Sequence, residues 1–429
     1  MPLEIRRSLR QLYLSDQRPW LVGYSGGKDS TMLASLIFYV IESIPSAQRT
    51  KPVSVLCTDT RVEIPAIVEM IEGNLAKMQK YSREQELNID VHLLRPPVEE
   101  SFWVNIIGRG YPPPNRNFRW CTQRMKIDPV TRFVQKRIGH WGEAILHLGA
   151  RRAESSTRAQ TMANRELRNG LRKHPDLPRV WVSNPIEFLE TADVWSYLIQ
   201  VPSPWGGDNR ALFKLYKDAS GECPVHIDTS TPACGNSRFG CWTCTVVEQD
   251  KAGQGLLASG DERMKRLLEF RETLLEFRDP VNGWRDQRRM NGNDGPGPLT
   301  IEARRELLAR LLKLQEETGL RVISDDELFL IQRMWNGART PDDGNGVARI
   351  IGRQRGILMN DWNDTTELRQ TQEAVASEKD IRVDTLRRLL SKVEEYSESH
   401  RAFGLPDDLL NILKDDLEEQ AKSGAVKDG

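Results

Sequence analysis

The chain has 429 residues, is 38% apolar and 28% charged, and balances 61 basic against 61 acidic side chains. This length is a prior for roughly three domains. No stretch approaches the ~18 consecutive apolar residues of a membrane span, and zero net charge leaves only local patches to meet a polyanion. The first residues, "MPLEIRRSLRQLYLSD", lack a long apolar run and a small-residue cleavage pattern. A cytoplasmic protein is therefore expected, in a compartment where structural disulfides are rare.

The first element is "RPWLVGYSGG", an apolar run from Trp20 to Val22 that ends in glycines. Helical spacing follows in "STMLASLIFYVIESI", which gives strand, tight loop and helix. "PVSVLCTDT" predicts a second buried strand, with Cys57 inside it as a small hydrophobe. "EIPAIVEMIEGNLAKMQKYSREQEL" predicts the next helix. "DVHLLRP", "AILHLGA" and "VWVSNPI" are the third, fourth and fifth strand candidates. Strands alternating with helices predict an α/β fold: a parallel twisted sheet with helices on both faces.

A second region begins near Thr191, the expected N-cap of "TADVWSYLIQ". After Cys244, "DERMKRLLEFRETLLEFRD" and "TIEARRELLARLLKLQEETG" are helical, joined by the Gly/Pro/Asn loop "NGWRDQRRMNGNDGPGPLT". The last 70 or so residues predict mostly charged helix. The expected organisation is an α/β domain over 1–190, a cysteine-rich segment over 191–250 and a helical region over 251–429. Charge is uneven: residues 109–179 hold 16 Lys and Arg against 5 Asp and Glu, and residues 361–429 hold 10 against 17. A basic face for a polyanion and a merely solvated basic face both fit this pattern.

"YSGGKDS", Tyr24 to Ser30, joins the first strand to the first helix. Gly26 and Gly27 let the backbone turn tightly, and the helix supplies free N–H groups and a positive dipole end. Lys28 adds a cation, and Ser25 and Ser30 add hydroxyls. These residues make an anion cradle, with a ligand-free glycine turn as the bland alternative. Val22 and Asp29 break the Walker A pattern, and G-x-G-x-x-G is absent here too.

The stretch resembles the SGG-x-DS pyrophosphate loop of the ATP pyrophosphatase (PP-loop) superfamily, whose members split ATP to AMP and pyrophosphate. That resemblance implies an adenine nucleotide α-hydrolase-like fold. "CTDTRVEIP" is similar to the DT-x-x-E segment of the phosphoadenylylsulfate (PAPS) reductase branch, through Asp59, Thr60 and Glu63. "LGARRAESSTRA" is similar to that branch's G-x-R-x-x-ES-x-x-R, through Gly149, Arg151, Glu154, Ser155 and Arg158. "NPIEFLETADVWSYL" resembles P-I-x-x-W-x-x-x-D-V-W, with Phe188 in place of the tryptophan.

Six cysteines occur, three of them in "TPACGNSRFGCWTC". Cys121 lies among Arg116, Arg119, Arg124 and Lys126, cations expected to favour its thiolate. In the adenylylsulfate reductases a cysteine in such a segment joins a later C-x-x-C to hold a 4Fe–4S cluster. That resemblance implies Cys121, Cys234, Cys241 and Cys244 as ligands here, with Cys223 left outside the first shell. A Cys₄ zinc site uses similar ligands and stays the alternative. The 185 residues after Cys244 contain no cysteine, whereas the sulfonucleotide reductases form their thiosulfonate on a C-terminal one. This speaks against a PAPS or adenylylsulfate reductase.

Over residues 15–330 or so the chain most resembles the Dnd-type DNA phosphorothioation sulfurtransferases (DndC). The strings that carry this are "VPSPWGGDNRALFKLYKDASGECPV", "DTSTPACGNSRFGCWTCTVVEQDK" and "RRMNGNDGPGPLTIEARRELL". The resemblance implies ATP and Mg²⁺ use, a 4Fe–4S cluster, and DNA as substrate. It also implies a cysteine desulfurase as sulfur donor, with other Dnd proteins as partners. Ser25 to Ser30 would hold the β- and γ-phosphates, and Lys28 would stabilise the departing pyrophosphate. Asp29 would orient the loop or the metal, and Arg151 and Arg158 would hold phosphates or DNA backbone. A tRNA thiolase is the same-class alternative, and a DNA-binding iron–sulfur or zinc scaffold the alternative of another class.

Overall fold

The computed structural model describes residues 2–154, 159–160, 162, 170–220, 240–336, 346–355, 385, 389, 392 and 409–414. The chain divides into two compact units, Met1–Ile357 and Leu358–Gly429. The boundaries expected near residues 190 and 250 both fall inside the first unit. Every described residue of the second unit is helical.

The first unit is built on six strands: β1 (Trp20–Gly23), β2 (Val53–Thr58), β3 (Ile89–Leu94), β4 (Ala144–His147), β5 (Arg172–Lys173) and β6 (Val180–Ser183). Their order in the sheet is β3-β2-β1-β4-β6-β5. All neighbours run parallel except the two-residue edge strand β5, which is antiparallel to β6 and too short to show in a hydrophobic pattern. The five longer strands are those the sequence predicts.

Strand alternation sorts the core into two faces. Leu21, Leu56, Ala144, Leu146 and Val180 form one buried cluster with Val134. Val134 belongs to α4 (Asp128–Trp141), which follows α1 (Pro2–Ser15), α2 (Lys28–Glu42) and α3 (Pro65–Glu84). Trp20 points to the other face, where Tyr13 of α1 packs edge-on against it at 5.2 Å. Helix α2 buries residues all round, from Ser30 to Ile41, as a central helix must.

The order of strands reverses between β1 and β4. Ligands of open α/β sheets bind outside the carboxyl ends of the strands at such a point. The loop after β1 and the loop after β4 therefore face each other across the expected crevice.

The remaining helices are α5 (Thr191–Gln200), α6 (Asn209–Ser220), α7 (Lys251–Ala258), α8 (Arg263–Arg278), α9 (Ile301–Thr318), α10 (Asp325–Asn336) and α11 (Gly346–Arg355). The N-cap of α5 is Glu190, one residue before the expected Thr191, and it forms a capping box with Asp193. The reason is tertiary: Thr191 Oγ1 accepts from Arg151 Nη2 at 3.3 Å. The expected loop between α8 and α9 is folded back on itself, with antiparallel bridges Arg285–Leu299 and Arg288–Asp294.

Candidate functional site

The loop after β1 is held from within. Ser30 Oγ donates to the Gly27 carbonyl at 3.0 Å, and the Ser25 N–H donates to Ser30 Oγ at 3.2 Å. The hydroxyls of Ser25 and Ser30 are 3.2 Å apart. Gly26 has φ of +72°, and a Cβ there would stand 2.4 Å from Ile71 Cγ1 of α3. Only glycine meets both demands. Gly27 caps α2 without any side-chain cap, so the first N–H groups of the helix turn toward the crevice. The Lys28 N–H donates to the Tyr216 hydroxyl at 3.2 Å.

Asp29 is the knot between the two loops. Its Oδ2 pairs with Lys28 Nζ at 3.0 Å, and its Oδ1 pairs with Arg151 Nε at 2.6 Å. The Arg151 side chain is 2% exposed, and Nη1 also donates to the Leu189 carbonyl at 3.0 Å. In this conformation the guanidinium fork meets the protein's own atoms and braces Asp29. Gly149 lies where the loops touch: a Cβ there would come within 2.9 Å of the Asp29 carbonyl. The Arg151 N–H donates to the Glu154 carboxylate at 3.4 Å. Ser155 and Arg158 lie outside the described residues.

The end of β2 links this crevice to the cysteines. Asp59 accepts from the Arg61 N–H at 2.7 Å and from Arg95 Nε at 2.8 Å. The Thr60 N–H donates to the Glu63 carboxylate, 3.1 Å from each oxygen. Thr60 Oγ1 is 3.5 Å from Cys241 Sγ. Glu63 forms an antiparallel bridge with Cys241, and the Trp242 N–H donates to the Val62 carbonyl at 3.0 Å.

Cys57, Cys121, Cys241 and Cys244 are free thiols. The Cys244 N–H donates to the Cys241 carbonyl at 3.0 Å, closing the C-x-x-C turn. Cys241, Cys121 and Cys244 all act on the ammonium of Lys126, and with Glu63 they raise its pKa against burial. Lys126 lies in a π-helical turn, Gln123–Ile127, two residues beyond Cys121. Burial pushes the Cys241 thiol up to about 12, with Lys126 pulling the other way. Burial also raises Cys121, and Cys244 adds to it. Thr122 and Lys126 lower it by less. The expected basic activation of Cys121 is therefore reversed, because desolvation of the thiolate outweighs the neighbouring cation.

Three soft thiols around one cation suit an iron–sulfur cluster or zinc in donor chemistry. Among the described residues, no three His, Cys, Asp or Glu side chains already form a closed metal-holding group. Cys234 and Cys223 lie outside those residues.

The basic segment is only partly free for a polyanion. Arg124 pairs with Glu100, and Arg109 Nη1 donates to the Glu99 carbonyl and Asn105. Arg172 and Arg152 both grip Glu187 at 2.7 Å. Arg116 is 71% exposed and pairs loosely with Glu248 at 3.3 Å. Sequence reasoning missed Tyr216, Thr191 and the role of Lys126. Their contacts cross 25 or more residues, and no local pattern announces them.

Several solved structures share low similarity with the chain. One is a PAPS reductase from Candida auris in a phosphate complex: 15% identity, 46% of this chain, 78% of that chain, TM-score 0.31. Another is a Candida glabrata FMN adenylyltransferase with FAD and pyrophosphate: 12% identity, 73% of this chain, 82% of that chain, TM-score 0.30. A third is the U34-tRNA thiolase NcsA from Methanococcus maripaludis with its [4Fe-4S] cluster: 14% identity, 64% of this chain, 79% of that chain, TM-score 0.30. A curated relative, an uncharacterized protein of Methanocaldococcus jannaschii, is 22% identical over 240 residues. That match covers 56% of this chain and 39% of the relative's length. The model of the phosphoadenosine phosphosulfate reductase domain matches residues 19–247, more than half of the chain. Members of that family are enzymes that act on adenine nucleotides. The chain belongs to the phosphoadenosine phosphosulfate reductase domain family.

Proposed function

We propose that the protein is an ATP-dependent sulfurtransferase of DNA phosphorothioation. The carrying observation is the Ser25–Ser30 loop, open at the N-terminus of α2 and braced by Asp29 and Arg151 at the strand-order reversal. Such a loop offers aligned N–H groups to the β- and γ-phosphates of ATP, with Mg²⁺ offsetting their charge. A non-bridging oxygen of the DNA phosphodiester attacks the α-phosphorus, and pyrophosphate leaves. The adenylated oxygen then departs as AMP when sulfur attacks. Lys28 lies beside the leaving pyrophosphate, and Asp29 orients the loop. Asp59 and Thr60 border the nucleotide.

Cys121, Cys241 and Cys244, with Cys234, would hold a 4Fe–4S cluster, which supplies a site for sulfur or for redox chemistry. Lys126 offsets thiolate charge there. A cysteine desulfurase delivers the sulfur, and other Dnd proteins and DNA are the partners. The lack of cysteines after Cys244 supports this reading over a sulfonucleotide reductase.

Protein purified anaerobically is given ATP and Mg²⁺, and pyrophosphate, iron and sulfide are measured. Lys28→Ala abolishes pyrophosphate release and keeps the iron. Cys241→Ala loses iron and sulfide and keeps much of the ATP cleavage. With desulfurase and cysteine added, nuclease digestion and mass spectrometry look for phosphorothioate linkages in DNA. Thiolated tRNA in place of thiolated DNA, or no pyrophosphate at all, would overturn the proposal.

A further inference from the structure

Tyr216 lies on α6, far in sequence from every motif that points to the nucleotide. Yet its hydroxyl accepts the N–H of Lys28, the first residue of α2, at 3.2 Å. A Cβ on Gly27 would come within 3.2 Å of that hydroxyl. Lys28 Nζ lies 5.3 Å from the centre of the phenol ring. The phenol therefore stands at the mouth of the cradle, among the groups that would meet a phosphate.

The placement is a built one. Tyr216 is 8% exposed, and its ring packs edge-on against Trp195 of α5 at 5.1 Å. Burial pushes the phenol above the usual tyrosine range, with the Lys28 N–H and Arg151 opposing and Asp29 reinforcing. The hydroxyl keeps its proton at neutral pH and can donate it. A neutral donor beside backbone N–H groups is the arrangement that stabilises an incoming anion without prior reorganisation.

We propose that Tyr216 is a phosphate-binding residue of the Ser25–Ser30 loop. Its oxygen holds the Lys28 N–H, and its O–H donates to the pyrophosphate portion of the nucleotide. The proposal rests on the ATP reading above and adds a ligand-binding group from a helix outside the nucleotide motifs. It also makes a chemical distinction: the donor serves a polyphosphate lying on α2, not the adenine end of the ligand.

The test is a calorimetric titration of the full chain and of Tyr216→Phe with inorganic pyrophosphate and Mg²⁺. Phenylalanine keeps the ring against Trp195 and removes only the hydroxyl, and thermal melts of both proteins check the fold. Loss of a hydrogen bond to a charged group predicts affinity weaker by about 10-fold or more. In ATP turnover the same variant raises KM more than it lowers kcat. Equal affinity in the two proteins would make Tyr216 a packing residue and overturn the inference alone. Tighter binding by Tyr216→Phe would make the hydroxyl a competitor of phosphate, which also overturns it. No pyrophosphate binding by the unmodified chain would sink the ATP reading and this inference together.

Discussion

Arg151→Met tests whether the crevice is braced as described. Methionine keeps much of the buried stem and removes the guanidinium. Three contacts go with it: Asp29 Oδ1 at 2.6 Å, the Leu189 carbonyl at 3.0 Å and Thr191 Oγ1 at 3.3 Å. Removing one partner of a buried pair costs about 3–5 kcal/mol, because the other charge is left uncompensated. Asp29 is 13% exposed and keeps Lys28, which places the loss near the lower end. We expect about 3 kcal/mol, measured as the shift in urea midpoint followed by tryptophan fluorescence. A double-mutant cycle with Asp29→Asn isolates the pair: the double variant should be more stable than the sum of the singles implies. Additive losses, or a loss under about 1 kcal/mol for Arg151→Met, would refute the bracing role.

Gly149→Ala should displace the Asp29 backbone, since its Cβ would stand 2.9 Å from that carbonyl. Overpacking of this kind costs about 1–3 kcal/mol, and pyrophosphate affinity should fall with it. Normal stability with normal affinity would show that the loops do not touch as described. Glu187 accounts for an acid-labile part of the stability. Burial raises its pKa, but Arg172 and Arg152 outweigh burial and hold it below its ordinary 4.5. The contribution is present above that value and lost as pH falls through the lower, folded one. Stability profiles between pH 6 and 3 should therefore fall more steeply for the native chain than for Glu187→Gln. Cys57 has its thiol pushed up to about 12, by burial first. At pH 8 its thiolate fraction is about one in ten thousand, so iodoacetamide should spare it in the folded protein and modify it after denaturation.

The sheet was legible because its signals are local. Trp20–Val22, Pro52–Thr60 and Ala144–Ala150 carry apolar runs that end at loops, and the Gly26–Gly27 turn marks the crossing into α2. The partners of the site residues were not legible. Arg151 meets Asp29 across 122 positions, and Lys28 meets Tyr216 across 188. The charge pattern of residues 109–179 misled for the same reason. Arg124 and Arg172 look alike in the sequence as surface cations, yet carboxylates brought up by the fold claim them. At Cys121 local charge even gave the wrong sign, since burial is set by the assembled structure.

The segment Asp59–Glu63 explains why no domain boundary separates the nucleotide crevice from the cysteines. Asp59 ends β2 on the crevice side, and one residue later Thr60 touches Cys241. Arg61 takes a left-handed φ of +61°, which turns the chain sharply enough for Glu63 to reach back to the Thr60 N–H. That turn presents Val62 and Glu63 as a short edge on which Trp242 and Cys241 pair. Trp242 is then buried between Trp103 and Phe270, and Arg271 of α8 bonds the Cys244 carbonyl at 2.8 Å. The C-x-x-C turn is thus an extension of the end of β2, clamped from behind by the helices that follow it. A shift of β2 at the crevice must therefore move Cys241 as well, with Thr60 as the shared hinge point between the two chemistries.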